Sequence, residues 1–128
     1  MRNTKTKGKT MTKALSKCHK RFIAHNEVQW AYADILEGNE DINEIKCNVK
    51  LLGCELGENY SSDFVCTKSN GELLVVETVF KKHLLKPLNL KLLEESRKYW
   101  LARGVQDWRL VVGDKNEKVI KRRIIKFI

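Results

Sequence analysis

Residues 60–81 read YSSDFVCTKSNGELLVVETVFK. Two apolar runs, about 60–68 and 72–81, flank Ser69-Asn70-Gly71, a strong hairpin signal. Phe64, Val65 and Cys66 in the first run, and Leu73 to Val76 in the second, are apolar on both faces. Such strands sit centrally in a sheet covered on two sides. A two-residue Asn70-Gly71 turn would set Asp63 across from Thr78, with Glu77 on the opposite face. A three-residue Ser69-Asn70-Gly71 loop sets Asp63 across from Glu77. The longer loop is favoured because Gly71 fills its left-handed position and Lys68 and Glu72 close it as an opposite-charge pair. A bulge would rescue the other register.

Upstream, Ile45, Cys47, Val49 and Leu51 alternate with Lys46, Asn48 and Lys50, the period of a half-buried strand over 45–52. A helix is predicted over 26–37, with Asn26 as N-cap, Glu27 in the first turn and Gly38 as the stop. Residues 13–23 read as a short basic helix carrying Leu15, Phe22 and Ile23. Residues 1–12 are polar and basic, the composition of a flexible arm. Downstream, a long helix starts near Pro87 and runs to about Arg103, ended by Gly104, with Leu88, Leu92, Tyr99 and Trp100 on its buried stripe. Trp108–Val112 reads as a strand. Asp114 and Glu117 form an acidic capping pair before a last helix with Val119, Ile120, Ile124 and Phe127 on one face and Lys121, Arg122 and Lys126 on the other. A crossover helix between strands implies one α/β domain over 13–128, built on a central mixed β-sheet flanked by helices.

The chain has 128 residues, 42% of them hydrophobic and 32% charged, which suits one folded domain. The formal net charge is +9. Residues 1–22 hold eight Lys or Arg and no acid, and residues 115–128 hold six against Glu117 alone. A mildly acidic body between two basic ends points to a polyanion partner, most often nucleic acid. Lys13, Lys17, Lys20 and Arg21 at one end, with Lys118, Lys121, Arg122 and Arg123 at the other, are the natural phosphate contacts. No run of about 18 apolar residues exists and none follows the basic start, so neither a membrane span nor a secretory signal is expected. Cys18, Cys47, Cys54 and Cys66 form no CxxC pair, and the histidines lack zinc spacing. Reduced thiols in a cytoplasmic protein follow. No GxxxxGK[ST] loop is present, which argues against nucleotide hydrolysis. The three tryptophans fall on apolar faces, so they read as core.

Asp63 and Glu77 are the main candidates to carry chemistry. An acid inside an apolar strand costs several kcal/mol if buried alone. Two acids face to face also repel. A hard divalent cation such as Mg²⁺ removes both penalties and binds phosphate as well. The plainer account is two acids at a sheet edge, paired with Lys81 or Lys82.

Asn26–Ile42 (NEVQWAYADILEGNEDI), Ser62–Val65 (SDFV), Leu73–Phe80 (LLVVETVF) and Tyr99–Val112 (YWLARGVQDWRLVV) together resemble the N-terminal catalytic domain of TnsA-type transposon end-cleaving endonucleases. The resemblance spans roughly residues 20–115 and implies a restriction-endonuclease-like fold. It implies a Mg²⁺- or Mn²⁺-dependent DNA endonuclease, working with a partner transposase. In that family a helix Glu, a strand Asp, an acid or Gln, and a Lys two positions later bind metal and activate water. Asp63 and Glu77 match the strand Asp and the next acid. Glu27 matches the helix Glu, with Gln29 close in register. Val79 stands where the family has Lys. Lys81, one pleat further on the same face, is the stand-in, and Lys50 is a weaker one. The alternative is a nuclease-fold protein without catalysis, acting in DNA binding or nucleoprotein assembly.

Overall fold

In the computed structural model, which describes residues 10–52 and 60–113, Gly71 has φ +91°. The Asn70 side chain accepts from the Glu72 N–H at 2.9 Å. The Gly71 N–H donates to the Lys68 carbonyl, and the Lys68 N–H to the Glu72 carbonyl at 2.8 Å. The turn is therefore the three-residue loop. It joins β4 (Ser61–Lys68) to β5 (Leu73–Phe80) in the expected register, with Phe64 opposite Val76 and Cys66 opposite Leu74.

The hairpin is the centre of a four-stranded mixed sheet. Strand β3 (Ile42–Lys50) pairs antiparallel with β4. Strand β6 (Asp107–Gly113) pairs parallel with β5. A parallel neighbour requires a crossover. Here it is the short α2 (Lys81–Leu84) followed by α3 (Pro87–Ala102), and Gly104, at φ +88°, turns the chain toward β6. Helix α1 (Glu27–Glu37) starts at Asn26, whose side chain accepts from the Gln29 N–H at 2.8 Å.

Two cores lie on the two faces. One gathers Val28, Tyr32, Ala33 and Leu36 of α1 with Ile45, Phe64, Cys66, Leu74, Val76 and Val111. The other gathers Leu92, Leu93 and Trp100 of α3 with Val65, Val75, Val79, Trp108, Leu110 and Val112. The sheet is thus covered on both sides, as its doubly apolar strands predict. Helix α1 lies close on the end of β6, where a Cβ added to Gly113 would sit 2.5 Å from Val28 Cγ2.

The basic segment departs from expectation. Residues 13–23 are not a helix. Met11–Lys13 and Phe22–Ala24 form a two-stranded antiparallel ribbon, β1 and β2, so the predicted arm enters a strand at Met11. Phe22 and Ala24 are buried while Ile23 is exposed, which is the period of a strand. Glu37 gathers the turn between the strands. Its carboxylate accepts from the Ser16 hydroxyl, the Ser16 N–H at 2.8 Å and the Lys17 N–H at 3.3 Å. These bonds, the Ser16 hydroxyl foremost, hold it below the usual carboxylate range.

On α3, Leu92 and Trp100 are buried and Tyr99 is half-buried, but Leu88 faces solvent. The stripe runs instead through Asn89, Leu92, Leu93, Ser96 and Trp100. Cys18, Cys47 and Cys66 are free thiols. Burial pushes Cys18 up to about 11 and Cys66 up to about 12. Among the described residues, no helix is long and apolar enough to cross a membrane. The last predicted helix, with Lys118, Lys121, Arg122 and Arg123, lies outside the described residues.

Candidate active site

The hairpin ladder opens at Asp63. One step beyond the Phe64–Val76 pair, the register sets Asp63 against Glu77. Carboxylates replace ladder carbonyls there. The Asp63 N–H donates to Glu77 Oε1 at 3.2 Å. The Thr78 N–H and hydroxyl both donate to Asp63 Oδ2 at 2.7 Å. Both acids are fully buried.

The pleat also breaks at this point. Phe64 and Cys66 face the α1 core, yet Ser62, two residues on, bonds to α3. The neighbouring strand turns over at the same level. Asn48 lies between the pairs Cys47–Phe64 and Val49–Ser62, level with Asp63. It has φ +55°, a left-handed conformation that Asn tolerates better than most residues. Cys47 before it packs on the α1 core, whereas Val49 and Leu51 after it pack on the α3 core. The predicted single face of alternating residues is therefore split between two cores.

On the α3 side, Ser96 Oγ donates to Glu77 Oε2 at 2.6 Å. It accepts from the Trp108 indole at 3.0 Å and lies 3.4 Å from Ser62 Oγ. Ser62 in turn accepts from the Trp100 indole at 2.9 Å. An indole N–H only donates, so the single Ser96 proton is directed to Glu77. On the α1 side, the Gln29 amide donates to the Asp63 carbonyl at 3.3 Å and to Asn48 Oδ1 at 3.0 Å. Gln29 Oε1 accepts from the His25 N–H at 2.9 Å.

The other sequence candidates lie apart from this cluster. Helix α1 turns the buried Gln29, not Glu27, to Asp63; Glu27 is exposed in the first turn. Val79 is 3% exposed within the α3 core. Strand β5 ends at Phe80, so the pleat that was to carry Lys81 past Val79 does not reach it. Lys81 opens α2 and is exposed, as is Lys50 at the end of β3. Of the basic candidates, Lys13 donates to Asp34 at 2.9 Å and lies 3.9 Å from the centre of the Trp30 ring. Lys17 donates to the Asn39 carbonyl. Arg21 donates to Thr12 Oγ1, and Lys20 is exposed.

Gln29, weighed beside Glu27 for the helix position, is the α1 residue that reaches Asp63, and Thr78 joins it from the strand position after Glu77, whereas Ser96 and Asn48 complete the cluster without having been singled out. Ser96 carried a readable signal, because it stands four residues from both Leu92 and Trp100 on an apolar stripe. A small hydroxyl there faces the core and needs a partner.

Among the described residues, no group of three or more His, Cys, Asp or Glu is placed to hold a metal ion. Asp63 and Glu77 remain a pair of hard oxygen donors. Mg²⁺ is commonly held by one or two carboxylates, with water and substrate phosphate completing its shell, and this donor set fits that pattern. The Thr78 and Ser96 hydroxyls that now donate to them can rotate, since a hydroxyl proton is not fixed. No protein-family model matches the chain, and no curated protein matches it.

Proposed function

We propose that the protein is a metal-dependent DNA endonuclease on a restriction-endonuclease-like fold, resembling transposon end-cleaving enzymes. The observation that supports this reading is the meeting of Asp63 and Glu77 at the opening of the central hairpin. Asp63 and Glu77 would hold Mg²⁺ or Mn²⁺, which when bound lowers the pKa of water and stabilises charge on a phosphodiester. Thr78 and Ser96 orient the two carboxylates, and Gln29 steadies the Asp63 backbone. Glu27 and Lys81 keep the roles of helix acid and stand-in lysine only if DNA draws them toward the pair. Lys20 and Arg21 attract the phosphate backbone. DNA, a partner transposase and a cytoplasmic setting belong to the same reading.

One observation favours a second reading, a nuclease-fold protein that binds DNA without cutting it. Val79 is core, and its neighbour across the sheet is Val112. No lysine follows Glu77 on its strand.

Incubation of supercoiled plasmid with Mg²⁺ or Mn²⁺ separates the two. The wild type is expected to nick, and Asp63→Ala to lose at least about 100-fold in rate. Asp63→Asn keeps an acceptor for the Thr78 N–H and guards against a folding defect. Metal-independent nicking, or nicking equal in all three proteins, sinks the endonuclease reading. No nicking, with salt-sensitive DNA binding retained, selects the second reading.

A further inference from the structure

We infer that a pocket at the edge of β3 seats one unpaired nucleotide of a nucleic-acid strand. The inference rests on the nucleic-acid part of the proposed function, not on cleavage.

The pocket follows from chain length. The Ile45 N–H donates to the Lys17 carbonyl at 2.9 Å, and the Asn48 amide donates to the Ile23 carbonyl at 2.7 Å. These two bonds tie residues 17 and 23 to points only three residues apart on β3. The segment between them has to stand off the strand, and it encloses about 430 Å³. That volume lies within the range of small-ligand sites.

Its chemistry is divided. Ile45 is buried and Cys18 and Cys47 are half-buried, so the floor is apolar. Lys20, Arg21 and Lys46 are exposed at the rim. Among the described residues that line it there is no carboxylate, and nearby Glu44 is engaged by His19 at 2.6 Å. A ligand matching both parts has a flat, weakly polar body and a negative group beside it. A nucleotide has both. In a duplex the base faces are stacked and the edges paired, so only an unpaired nucleotide can offer its base to such a floor. Asn48 forms part of the wall and bonds to Gln29, which bonds to the Asp63 carbonyl. The seat is thus linked by two hydrogen bonds to the backbone of Asp63.

Fluorescence anisotropy with a labelled 5′-phosphorylated single strand and a blunt duplex of equal length tests this. The wild type is expected to prefer the single strand by about tenfold. Ile23→Trp fills the pocket from an exposed strand position without changing charge, and should abolish the preference. Lys46→Glu, at an exposed site, should weaken single-strand binding several-fold, with circular dichroism showing both variants folded. Equal affinity of the wild type for both probes, or a preference that survives in folded Ile23→Trp, overturns the seat while leaving duplex binding to stand. Competition by free adenosine monophosphate, mole for mole as strong as the strand, overturns the strand as its occupant. Absence of binding to either probe removes the nucleic-acid reading and the seat together.

Discussion

The Ser96 hydroxyl serves one oxygen of Glu77, and the Asp63 N–H serves the other. Ser96 has one proton to give, and its indole neighbour can only donate, so the proton goes to the carboxylate. A hydrogen bond to a charged group contributes about 1.5–3 kcal/mol. Ser96→Ala is therefore expected to lose about 2–3 kcal/mol in urea unfolding, because Glu77 stays buried while a donor is gone. Ser96→Thr, which keeps the hydroxyl, should recover part of the loss. A change below about 0.5 kcal/mol for the alanine variant would mean that another donor replaces the hydroxyl. At this scale the sequence was half legible. Asp63 and Glu77 stood out as acids among apolar neighbours, and Gly71 with the Lys68–Glu72 pair favoured the register that the structure has. Asn48 was hidden. The alternation of Ile45, Cys47, Val49 and Leu51 continues unbroken through it, and only its left-handed backbone sends the later pair to the other face.

Among the elements, β6 is attached to the hairpin by charge as well as by its ladder. Asp107 accepts from Arg109 at 2.9 Å and lies 2.6 Å from Lys68 at the end of β4. Burial alone would raise its pKa, but Arg109 and Lys68 outweigh that and hold it below the usual value of 3.8. A lowered pKa means that the unfolded chain takes up the proton first as pH falls. The stabilisation is present above pH 3.8 and is lost as pH drops through the lower folded value. The group is partly exposed, so Asp107→Asn is expected to cost no more than about 1 kcal/mol at pH 7. Chemical denaturation at pH 7 and again near pH 3 should show the gap between wild type and variant closing in acid. A gap that widens in acid would contradict the ion pairs as its origin. Elements with a local signal were readable, such as α1 with its Asn26 cap and α3 with Pro87. The ribbon of β1 and β2 was not. Each strand has three residues, too short for a period to emerge, and their pairing spans a turn held by Glu37 of another element.

Across the whole molecule, the sheet separates two layers, and the Glu77 carboxylate lies under the α3 layer, bonded to Ser96, with Val79 two residues on along β5 in the same core. The mixed sheet between helices was legible because strand faces and crossover order are written in the hydrophobic pattern. The surroundings of the pair were not, because they depend on which side chains of α3 and β6 meet there. Val79→Lys tests what that layer permits. An ammonium buried in the α3 core beside Val112 loses its hydration, and Glu77 on the same strand returns only part of it. We expect the variant to lose about 2–3 kcal/mol in urea unfolding. If Asp63 and Glu77 form a working metal pair, the new cation also stands where charge develops on the phosphate. Plasmid nicking by the folded variant should then rise about tenfold or more over wild type at equal Mg²⁺. A variant that is destabilised, still binds DNA and nicks no faster would assign the pair to holding the sheet together, with binding as the role of the fold.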